Sequence, residues 1–124
     1  AEVRAMLSVL VPKVESCIEV LRPQAVSNAL YGLKRMSSDT PEVRAMILAL
    51  VPKVKSCTES LNSQAIGNTL YGLKGMNSKS IEVRAMLLAL IPKIKNCEED
   101  LNAQAVGNAL YGMQRMSSDS HELR

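Results

Sequence analysis

The pentapeptide Glu-Val-Arg-Ala-Met stands at residues 2–6, 42–46 and 82–86, a spacing of 40 residues each time. Self-similarity at a period of 20–50 residues marks stacked supersecondary units, each unable to bury its apolar face alone. The period divides the chain into residues 1–41, 42–81 and 82–121, and Glu122-Leu123-Arg124 opens a fourth copy. Neither end carries the divergent polar unit that a free-standing array needs for solubility. The expectation is a piece of a longer array, with further repeats of the same chain beyond it.

Each copy reads as two helices. In the first, Val3, Met6, Leu7, Leu10, Val14 and Cys17 follow helical spacing. Pro12, Pro52 and Pro92 fall inside that pattern at one register. An interior proline costs roughly 3 kcal/mol, because it removes a hydrogen bond and clashes with the preceding turn. The apolar phase continues across it, which predicts one kinked helix. A break into two short helices is the alternative. Thr40, Ser80 and Ser120 stand at N-cap positions, with Pro41 just inside the start and Glu42 and Glu82 in the first turn. Asn62 and Asn102 precede the second helix, and Pro23 opens it in the first copy. Residues 37–39 and 77–79 are inter-unit turns. The fold class is therefore all-α, an α-solenoid of three ~40-residue helix-turn-helix repeats. It is right-handed by analogy with other helical repeats.

The second helix carries the unusual surface. Over residues 22–36, Val26, Ala29, Leu30, Leu33 and Met36 share one side at about 100° per residue. Gln24, Asn28, Tyr31 and Arg35 share the other. The same line returns as Gln64, Asn68 and Tyr71, and as Gln104, Asn108, Tyr111 and Arg115. Amides both donate and accept hydrogen bonds, so they suit base edges. They equally suit a ladder between repeats, which fits the asparagines, while the glutamines read as exposed. The tyrosines either stack on bases or pack against the adjacent repeat. Gly32, Gly72 and Gly112 read as close-contact positions, with admission of a ligand backbone as the alternative. Lys13, Lys53 and Lys93, with Arg4, Arg44 and Arg84, form two basic rows on the first helix. They are solvated edges or, facing a groove, phosphate contacts.

Composition narrows the function classes. The 124 residues hold no Phe or Trp, so the core is aliphatic. Net charge is +3, which tolerates nucleic acid without demanding it. The copy at 42–81 is the most cationic, with five basic and two acidic residues. Glu98-Glu99-Asp100 reads as a solvated turn. No apolar run is long enough to span a bilayer. Cys17, Cys57 and Cys97 share an apolar register. Helices packed on the order of 10 Å apart hold such cysteines beyond disulfide reach, so they read as reduced thiols in a reducing compartment. With a single histidine, His121, and no Cys-x-x-Cys, no zinc site is expected. No nucleophile–base arrangement can be assembled around His121. Like groups placed three times along a line disfavour catalysis, since an active site places unlike groups once. No cofactor is implied.

The run Gln-Ala-x-x-Asn-x-Leu-Tyr-Gly, with Asn68, Leu70, Tyr71, Gly72 and Leu73 on the pattern, resembles the octatricopeptide repeat family and its FAST-kinase-like organelle relatives. Tyr stands where Trp is common in that family and Gly where Ala is common. The resemblance implies import into chloroplasts or mitochondria and binding of organelle RNA. One expectation is thus single-stranded RNA along the second-helix stripe. Stacking at about 1–3 kcal/mol per base gives three units roughly 3–9 kcal/mol. The other is a scaffold for an extended protein partner, or a structural subunit of an organelle ribosome or membrane complex. A consensus-like engineered array is a third reading, against which differences such as Ser27 opposite Gly67 look like natural drift.

Overall fold

A computed structural model describes residues 1–117. Ser120, His121 and the opening of a fourth copy lie outside the described residues. Six α-helices and no strand occur among those described: α1 (Glu2–Ser16), α2 (Pro23–Tyr31), α3 (Pro41–Ser56), α4 (Ser63–Tyr71), α5 (Ile81–Lys95) and α6 (Ala103–Gly112).

Local chemistry sets the helix starts. The Asn62 and Asn102 side chains accept from Ala65 N and Ala105 N, each at 2.8 Å, and satisfy orphan first-turn donors. Ser80 does the same for Val83 N at 3.4 Å. Thr40 occupies its N-cap position without a side-chain bond, and Pro41 follows it directly. Pro12, Pro52 and Pro92 lie inside unbroken helices, with their rings at the exposed surface.

The second helices end earlier than their periodicity predicts. Leu33 N bonds to Leu30 O and Lys34 N to Tyr31 O, so the chain tightens from four-residue to three-residue bonding after Tyr31. Residues 32–35 are turn, as are 72–75. Arg35 and Arg115 therefore sit on turns and not in a helical line with the amides.

Packing is sideways. α1 contacts α3, and α3 contacts α5. α2 contacts α4, and α4 contacts α6. The two rows enclose one core, in which Leu30, Ile47, Ile66, Leu73, Met76, Met86 and Leu90 are fully buried. Each such side chain contributes about 1.5–3 kcal/mol of transfer free energy. Polar links between neighbours repeat the same step. Ser38 Oγ accepts from Asn77 N at 3.0 Å, and Ser78 Oγ from Ser117 N at 2.9 Å. Arg4 pairs with Glu42 at 2.8 Å.

Three glycines are required by this spacing: Gly72, Gly112 and Gly75, the last of which would place a Cβ 2.0 Å from Met36 O. A Cβ on Gly72 would lie 1.9 Å from Leu30 O, and one on Gly112 would lie 1.8 Å from Leu70 O. Close contact, and not ligand admission, accounts for Gly72 and Gly112.

Candidate binding face

The second helices present their polar sides in parallel. Gln24, Gln64 and Gln104 are exposed, Asn28 is exposed, and Asn68 and Asn108 are half-buried. Among the described residues, none of these six side-chain amides hydrogen-bonds to the protein. The expected asparagine ladder is not formed. The amides instead wall two clefts. One, of about 240 Å³, lies between α2 and α4 and is lined by Gln24, Asn28, Gln64 and Asn68 over a floor of Ser27 and Ala65. The next, of about 290 Å³, lies between α4 and α6 and is lined by Gln64, Asn68, Gln104 and Asn108 over Gly67 and Ala105. Both floors are made of small residues. No charged side chain lines either cleft.

Below the amides the tyrosines stack on one another. Tyr31 and Tyr71 have ring centroids 5.8 Å apart and planes at 29°, and Tyr71 and Tyr111 have 5.5 Å and 26°. These are offset stacks in the favourable range. Lys34 Nζ donates to Tyr31 Oη at 3.0 Å, and Lys74 Nζ to Tyr71 Oη at 3.2 Å. Lys74 also lies 5.4 Å from the Tyr111 ring, so one ammonium serves two rings. Its hydrogen bond and charge make the Lys34 ammonium hold the Tyr31 phenol below its ordinary pKa. In the third copy Gln114 replaces the lysine and donates to Lys74 O at 3.3 Å. Pattern reading missed Lys34 and Lys74. Their signal was the Tyr-x-x-Lys spacing, which puts the two side chains on one face.

The first-helix basic rows have other employment. Lys53 Nζ donates to Cys17 O and Lys93 Nζ to Cys57 O, each reaching the preceding copy. Arg44 Nη1 donates to Ser38 O at 2.7 Å and Arg84 Nη1 to Ser78 O at 3.0 Å. Arg4 is held by Glu42. Of the six phosphate-contact candidates, only Lys13 has an ammonium without a protein partner among the described residues. Arg35 is exposed, and Arg115 Nη1 donates to Gly75 O at 3.4 Å.

Other readings resolve on burial. Cys57 is buried, Cys17 and Cys97 are half-buried, and all three are free thiols. Glu99 is more than a solvated turn residue: its Oε1 accepts from Ser63 N at 2.7 Å, at the start of α4. That is favourable charge placement at a helix N-terminus. No helix among the described residues is long and apolar enough to cross a membrane.

No family model, curated protein or solved structure matches the chain.

Proposed function

We propose that the chain is a non-catalytic binding module, an α-solenoid of three helix-pair repeats that holds single-stranded RNA along the second-helix face. The observation that carries this is the pair of successive amide clefts. Each offers four side-chain amides with unspent donors and acceptors, repeated at one-copy spacing. A neutral, planar group with mixed donors and acceptors satisfies such a wall, and a base edge is one. Lys34, Lys74, Arg35 and Arg115 lie at the end of the same face and supply positive charge for phosphates. The octatricopeptide-like pattern supports the same reading and, with it, an organelle setting.

The test is fluorescence anisotropy with labelled single-stranded RNA of mixed sequence. Asn68 borders both clefts, so Asn68→Ala should weaken binding by about fivefold or more, on the scale of about 1–3 kcal/mol for a buried polar edge left without its hydrogen-bond partner. Log affinity should fall linearly with log salt. An affinity that ignores both Asn68→Ala and salt sinks the reading.

A second reading rests on the absence of charge in the cleft linings. Amide walls suit the backbone of an extended peptide equally well. Binding of a protein partner that survives RNase and is indifferent to salt would favour that scaffold role over RNA.

A further inference from the structure

Each amide cleft is walled from two sides by described helices. In the first, α2 supplies Gln24 and Asn28, and α4 supplies Gln64 and Asn68. In the second, α4 supplies Gln64 and Asn68 again, and α6 supplies Gln104 and Asn108. Every wall is thus one glutamine and one asparagine. The walls repeat without change while the floor varies, Ser27 giving way to Gly67. Drug-sized ligands fill about 300–1,000 Å³. Clefts of about 240 and 290 Å³ suit a smaller, flat group of the size of one nucleobase.

The hydrogen-bonding pattern of the walls distinguishes among bases. An amide presents one acceptor and one donor side by side. Its complement is an edge with a donor beside an acceptor. Adenine has two such edges sharing one amino group, N6–H with N7 and N6–H with N1. Amides from two walls can therefore grasp one adenine together. Guanine shows adjacent acceptors at N7 and O6, which call for Arg or Lys. The amino group of cytosine calls for a carboxylate. No charged side chain lines either cleft. Cytosine and uracil also carry a bare C–H edge where adenine has N7, so each leaves one wall without a partner.

Resting on the RNA reading above, we propose that both clefts select adenine, so that the ligand is single-stranded RNA with adjacent adenines. Gln64 and Asn68 line both clefts and serve both bases. Because the walls are alike, the same base is chosen twice. Lys34 and Lys74 add affinity through phosphates, which carry no base preference.

Fluorescence anisotropy with labelled RNA octamers tests this, using oligoadenylate, oligouridylate, oligocytidylate and an alternating guanylate–uridylate strand. Oligoadenylate should bind about tenfold tighter or more than each of the others, the scale on which a bidentate base contact discriminates. An octamer of 7-deazaadenylate lacks the N7 acceptor and should bind about fivefold more weakly than oligoadenylate, or worse. Gln64→Glu keeps the shape of the side chain and removes its donor. It should cut the preference for adenylate over cytidylate by about tenfold, because a carboxylate accepts from the cytosine amino group. The ratio is the readout, since added negative charge weakens binding of every RNA. Gln64 is exposed and its side chain has no hydrogen-bond partner among the described residues, so far-UV circular dichroism should match the parent. Gln104→Glu repeats the test in the second cleft alone. Octamers bound alike overturn the adenine inference and leave the RNA reading standing. No binding of any octamer overturns both. A preference for another base, or an adenine preference that survives both 7-deazaadenylate and Gln64→Glu, also overturns the inference.

Discussion

At the scale of single residues, one glycine pair separates close approach from mere helix ending. Gly72 faces a neighbouring carbonyl at a distance no side chain tolerates, while a Cβ on Gly32, at the same register, would meet only the Asn28 and Ala29 carbonyls of its own helix, at 3.3 and 3.5 Å. Gly72→Ala should destabilise the chain by about 3 kcal/mol, as overpacking against backbone does. Gly32→Ala should stay within about 1 kcal/mol of the parent. Urea denaturation of both variants checks this, and equal losses would contradict the placement. Both glycines look alike in sequence. What distinguishes them is the presence of a preceding copy, which no local pattern encodes.

At the scale of helices, the Arg4–Glu42 pair ties α1 to α3. Glu42 also stands in the first turn of α3, where a negative charge is favoured. Its carboxyl is held below the ordinary 4.5, first by the Arg4 hydrogen bond. A depressed carboxylate pKa contributes stability that is full above the unfolded value and lost as pH falls through the folded one. In low salt, Glu42→Gln should therefore melt below the parent near neutrality, and the gap should close as pH falls under about 4.5. A gap that persists in acid would refute this origin. The helices themselves were legible: Val26, Leu30 and Leu33 fell on the predicted apolar side and are buried. The ends of α2 and α4 were not, because three-residue bonding after Tyr31 and Tyr71 leaves no periodic trace. Nor did periodicity tell what lies across from a face. Lys53 and Lys93 read as surface rows, yet they clamp the preceding copy. The glutamines were rightly expected outside, while the asparagines lacked the ladder that their register suggested.

At the scale of the whole molecule, the proposed solenoid has neighbour-only cohesion. The links that join copies span 36–40 residues: Lys53 to Cys17, Ser38 to Asn77 and Gln114 to Lys74 are examples. Helices α3 and α4 have neighbours on both sides, and the end helices on one. Stability in such an array is a sum of unit and interface terms, so opening starts at the ends. Hydrogen exchange by mass spectrometry should find the slowest amides in α3 and α4 and the fastest in α1 and α6. Uniform protection along the chain would argue for a single indivisible core. The stacked phenols add an optical consequence. With no Trp, near-ultraviolet emission comes from three tyrosines alone, all on the face proposed to hold the ligand. The molecule thus carries its own reporter, and a base that slides over Tyr111 should dim it without any dye attached.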